Sequence, residues 1–126
     1  MNTKLISSLS AQRKTQEARP VRYHIYRQAR AGNFMREFKT DSATEAVEYF
    51  SIISPAYDGG AIRLRDEHEE RLLAEVVWRR SDTRLGLSVL RRVDVYHDPV
   101  FAEIAHQSRL RNEIREEVRH ELRMTA

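Results

Sequence analysis

The sequence predicts an α+β fold: a four-stranded antiparallel sheet in the order β-β-α-β-β with one covering helix, followed by a long C-terminal amphipathic helix. Three observations carry this expectation. Apolar and polar residues alternate over Val21–Tyr26 and again over Leu72–Arg79, as in strands with one buried face. Between them, the capping box Ser42-Ala43-Thr44-Glu45 opens an apolar stripe at helical spacing. Beyond them, Asp98-Pro99 joins a good N-cap to the residue favoured at the first helical position.

Taken in order, residues 1–18 are rich in Ser, Gln and Lys and read as a flexible basic arm. Val21, Tyr23 and Ile25 alternate with Arg22, His24 and Tyr26, which makes the first strand. Arg30-Ala31-Gly32-Asn33 supplies turn residues, and Phe34 to Thr40 forms the second strand of a hairpin. Arg36 falls between Phe34 and Phe38 on the face expected to be buried. An edge position or a β-bulge would relieve that conflict.

The helix after Ser42 carries Ala43, Ala46, Val47, Phe50 and Ile53 on one stripe and must stop near Ser54, because Pro55 disfavours a helical predecessor. Asp58-Gly59-Gly60 is a turn. Ile62 and Leu64 open a second hairpin, Asp66 to Glu70 form its polar loop, and Leu72, Ala74, Val76 and Trp78 continue it. Residues 81–97 fit two periods, and the spacing of Leu85, Val89, Val93 and Tyr96 favours a helix from Asp82 over a strand. The division that follows is an arm over 1–18, a core domain over 19–80, and a helical extension over 81–126 that packs on the core or on a partner.

The chain has 126 residues, enough for one domain with its own core. It has no cysteine, which excludes thiol redox chemistry and cysteine-based zinc sites. No apolar run approaches the roughly 20 residues that span a bilayer. The apolar stretch near the start is shorter than a signal-peptide core, so cytoplasmic residence is the default expectation. The net charge of +3 is unevenly spread. From Arg19 to Lys39 six cations face one acid, whereas Asp41 to Arg80 holds nine acids and five arginines.

No catalytic constellation emerges. Glu103 with His106 and Glu117 with His120 repeat the Glu-x-x-His spacing of di-iron bundles, but both lie on one helix and away from its apolar stripe. A solvated charged face accounts for them better than a metal site. His24, His68 and His97 have no neighbouring nucleophile, and the only paired glycines lack the lysine of a phosphate loop. Neither a metal nor a cofactor is expected.

Two surfaces remain. If the helix covers the face bearing Val21, Tyr23, Ile25, Ile62 and Leu64, the opposite face carries Arg22, His24, Tyr26, Lys39, Arg63 and Arg65. Cations beside an aromatic can hold phosphates and stack a base, although Glu37 and Glu75 on that face weaken the field. On the C-terminal helix, Ile114, Val118 and Leu122 form a narrow apolar stripe. It suits a seam with another helix, as in a homodimer, as well as packing on its own domain. There is no sustained heptad. The reading favoured by the sequence is a non-catalytic protein-interaction or regulatory module, with nucleic-acid binding through the sheet face as the alternative and an enzyme of unknown class third.

Overall fold

A computed structural model describes residues 20–125. The arm expected over 1–18 lies outside the described residues. The elements are β1 (Tyr23–Gln28), β2 (Phe34–Thr40), α1 (Ala43–Ile52), β3 (Ile62–Asp66), β4 (Arg71–Asp82), β5 (Ser88–Tyr96) and α2 (Pro99–Thr125). The strands make one antiparallel sheet in the order β2-β1-β3-β4-β5. The α+β class, the antiparallel sheet and the long C-terminal helix are as expected. The sheet has five strands and not four, and α2 joins α1 in covering it.

The fifth strand replaces the helix expected from Asp82. Gly86 takes a positive φ of 75° in the turn, where Thr83 and Leu87 close the backbone. That conformation suits glycine and reverses the chain. Leu85, which supported the helical spacing, ends up exposed at the hairpin tip beside Leu87. β5 then pairs with β4 from Asp82↔Ser88 to Ala74↔Tyr96.

The conflict over Arg36 is resolved by a bulge. The β1–β2 register shifts between Ile25 and Tyr26, so Ile25 faces Phe38 while Tyr26 faces Arg36. Phe38 therefore points to the helices, where it stacks on Tyr49 at 4.1 Å. Arg36 and Phe34 turn to the opposite face.

α1 is held at both ends. Ser42 accepts from the Glu45 amide, which is one half of the capping box. The Ser42 amide donates to Thr40 Oγ1 instead of to Glu45. At the other end Arg92, from β5, donates to the carbonyls of Phe50 and Ile53 and to Asp94. A cation thus satisfies orphan carbonyls at the negative end of the helix. α2 begins at Asp98, which accepts from the Phe101 amide and from Arg71.

The core lies between the sheet and the helices: Ile25, Ala46, Val47, Phe50, Ile62, Leu64, Leu73, Ala74 and Val76, closed by Phe101 and Ala105 of α2. Phe101 meets Tyr23 edge-on, and Phe50 meets Tyr96 in the same way. Among the described residues no buried side-chain polar atom lacks a hydrogen-bond partner.

The β3–β4 loop is not the fully solvated acidic tip that its composition suggests. Asp66 is buried and accepts from Arg22 Nε and Nη2 at 3.0 and 2.8 Å. It also accepts from the amides of His68 and Glu69. Burial pushes its carboxyl upward, but Arg22 and the two amides outweigh that and hold it below the ordinary carboxylate value.

Candidate interaction surfaces

The sheet face opposite the helices is built by strand register. Across it run Arg36, Tyr26, Arg63, Glu75 and Val95, and beside them Lys39, His24 and Arg65. Tyr26, Phe34, Arg63, Arg65 and Glu67 line a shallow depression there. The Arg63 guanidinium lies 4.1 Å over the Phe34 ring, a cation–π contact that fixes its plane. Arg65 pairs with Glu67 at 2.9 Å. The Tyr26 phenol is raised by burial and by Glu67, against the opposing charges of Arg36 and Arg65.

The expected residues of this face fare differently. Tyr26, Lys39, Arg63 and Arg65 lie on it. His24 also lies on it but is buried, with Nε2 2.6 Å from the Val21 carbonyl. Arg22 precedes β1 and is drawn off by Asp66 and Glu69. Glu37, expected to weaken this face, pairs with Arg27 at 3.1 Å. Arg27 also reaches the Ser54 carbonyl on the helix side. Arg36 and Phe34 were not expected here. The signal for them was present, since an arginine between two phenylalanines is inconsistent with an unbroken strand. Arg79 and Arg91 face each other further along the same face. They could not be foreseen while β5 read as a helix.

On the helix side, a crevice of about 120 Å³ lies between α1, β5 and α2, lined by Ser51, Asp94, Tyr96, Ser108, Arg109 and Asn112 among others. Burial, then Asp94, pushes the Tyr96 phenol up to about 12, against Arg109 and Arg92. Small-molecule sites usually enclose about 300–1,000 Å³, so this crevice is a packing gap with room for little more than water.

α2 leaves the domain after one packed stretch. Phe101 and Ala105 are buried, but every side chain from Arg109 to Met124 is exposed. Those 16 positions run for about 24 Å. The expected stripe lies on this part: Ile114 is 59% exposed, Val118 49% and Leu122 64%, and Leu110 extends it toward the domain. None of the four is part of the core cluster.

Among the described residues no group of three or more His, Cys, Asp or Glu side chains is placed to hold a metal. Both Glu-x-x-His pairs are exposed on α2. No described helix is long and apolar enough to cross a membrane. Comparisons with models of known families, with curated proteins and with solved structures found no match.

Proposed function

We propose that the protein is a non-catalytic interaction module, regulatory in character, that associates with a second copy of itself through α2. The observation that supports this reading is the row Leu110, Ile114, Val118 and Leu122, exposed on a helix whose last 16 described side chains all face solvent. An apolar row exposed in this way marks a contact surface more often than a chance feature. Its size sets the expected strength. Eight half-exposed side chains across two copies would recover roughly 8–12 kcal/mol gross. Association costs about 4–15 kcal/mol. The surplus is at most about 8 kcal/mol, which is micromolar at best, so a weak, reversible dimer is the expected outcome, in a cytoplasmic setting.

Sedimentation over a range of protein concentrations tests this. The wild type should move from monomer toward dimer as concentration rises. Ile114→Lys should remain monomeric with an unchanged far-ultraviolet circular dichroism spectrum. A wild type that stays monomeric throughout would retire the reading.

The open sheet face supports a second reading, as a nucleic-acid surface. The β-bulge adds Arg36 and Phe34 to it and removes Glu37, leaving Tyr26 and Arg63 between cations. On this reading Arg63→Ala weakens binding to all oligonucleotide sequences and lowers the salt slope by about 0.7–0.9. Tyr26→Ala costs roughly 1–3 kcal/mol on single strands with little change in slope. Absence of binding to single- and double-stranded oligonucleotides at low salt would remove it.

A further inference from the structure

The exposed part of α2 repeats every four residues. Glu113-Ile114-Arg115-Glu116, Glu117-Val118-Arg119-His120 and Glu121-Leu122-Arg123-Met124 each place an acid before an aliphatic residue and an arginine after it. The preceding tetrad, Arg109-Leu110-Arg111-Asn112, departs only by having arginine in the acid's place. On a helix, residues four apart share one row. The apolar row is therefore flanked by Arg111, Arg115, Arg119 and Arg123 on one side, and by Glu113, Glu117 and Glu121 on the other. Each flank lies about 100° around the helix from the apolar row.

This arrangement serves a lone helix poorly. A solvent-exposed helix gains from glutamate four residues before arginine or lysine, and like charges at that spacing destabilise it. From Arg109 to Arg123 no glutamate stands four residues before an arginine. Three Arg–Arg steps and two Glu–Glu steps occupy that spacing, against Arg109–Glu113 in the weaker order and Glu116 three residues before Arg119. Rows of one sign make sense when each faces a row of the opposite sign on another molecule.

We propose that the occupant of this ridge is α2 of a second copy running parallel. The inference rests on the self-association reading above and adds the orientation. When two identical helices lie face to face and parallel, the two-fold axis runs along them. The right flank of one then meets the left flank of the other, and arginine rows face glutamate rows on both sides of the seam. When they lie antiparallel, the axis runs across them. Each flank then meets its own copy, arginine against arginine and glutamate against glutamate. Charge complementarity selects the parallel pair.

Two further features fit this arrangement. A ridge spaced by four packs into the matching groove of its partner at a crossing of about −50°, which suits a short contact centred on Ile114 and Val118. The face of α2 that packs on its own domain, Phe101 and Ala105, is roughly 140° around the helix from Ile114 and Val118. The partner helix therefore approaches from the side away from the sheet, and both domains fit at the same end.

The test uses the full chain and two readouts. Sedimentation is run at low and high salt. Attractive flanks predict association several-fold weaker at high salt, where exposed charges are screened within about 3–5 Å. Repulsive antiparallel flanks predict stronger association. The chain has no cysteine, so Met124→Cys accepts a single nitroxide spin label. Dipolar spectroscopy should give a backbone separation at position 124 of about 15 Å for a parallel pair and about 25 Å for an antiparallel one, from helix rise and interaxial distance. Arg115→Glu with Arg119→Glu should lower association at least tenfold at low salt while helix content is retained. A dimer that strengthens with salt, or gives the long distance, overturns the parallel arrangement and leaves self-association standing. A wild type that is monomeric at every salt and concentration overturns both.

Discussion

Replacing Asp66 with alanine should cost about 3 kcal/mol of stability at neutral pH and less in acid, a sum built from its hydrogen bonds. Asp66 accepts four of them, two from Arg22 and two from the amides of His68 and Glu69. The Arg22 side chain is exposed enough to hydrate itself once released, so its share is small. The amides are the larger part, because each bond to a charged acceptor contributes about 1.5–3 kcal/mol. At about 4 °C per kcal/mol for a domain of this size, the melting temperature should fall by about 12 °C. The pH dependence follows from the lowered carboxyl value. A carboxylate whose folded value is depressed contributes stability that is fully present above its unfolded value of about 3.9. That contribution is lost as pH falls through the folded value. Thermal melts of wild type and Asp66→Ala at about pH 7 and about pH 2.5 should therefore show a gap that narrows in acid. Equal gaps at the two pH values, or none at neutral pH, would show that the loop is held by its backbone alone and refute the reasoning.

Arg92→Ala should destabilise the domain by about 2 kcal/mol in urea unfolding, because carbonyls at the end of α1 lose a charged donor. Arg92→Lys should restore only part of this, since an ammonium cannot span two carbonyls and Asp94 in one plane. The Tyr96 phenol, pushed up to about 12, should be the last tyrosine to ionise in an ultraviolet titration, and Tyr96→Phe should remove that step. Because its folded value lies above the unfolded value of about 10, its contribution to stability is complete below about pH 10 and fades toward about pH 12. Glu70 has a positive φ of 50°. Glu70→Gly should therefore raise stability by about 0.5–1 kcal/mol, measured by the same unfolding curves.

Local chemistry explains why the first half of the fold was legible. The alternation in β1, the Ser42 cap, the stop before Pro55 and the Asp98-Pro99 start each act over a few residues, and each stands in the structure. β5 was not legible, because Leu85, Val89, Val93 and Tyr96 satisfy a helical period by coincidence, and only the positive φ at Gly86 and pairing with β4 decide against it. The burial of Asp66 was not legible, because composition does not show that Arg22, 44 positions away, reaches it. The four-residue charge repeat of α2 was fully visible in the sequence. Its meaning lies in the relation between the apolar stripe and its two flanks, which the stripe alone does not show.

The two candidate surfaces are physically separable, which makes the functional readings independent. The basic face lies on the side of the sheet away from α1 and α2. The apolar ridge begins at Leu110, beyond Ala105, the last core residue of α2. No residue is shared between them, and changes at sites this far apart should combine additively. Ile114→Lys should then abolish association without altering any oligonucleotide binding to a short strand, and Arg63→Ala should do the reverse. A parallel pair links them in one respect. It brings both sheets to the same end of the seam, so two basic faces are offered to one long strand and avidity follows from their proximity. An antiparallel pair sets the sheets at opposite ends, so a longer strand is needed to bridge both. If the sheet face binds nucleic acid at all, dimerisation should strengthen binding to long strands while leaving short ones unchanged, and the parallel arrangement should show that gain at the shorter strand length.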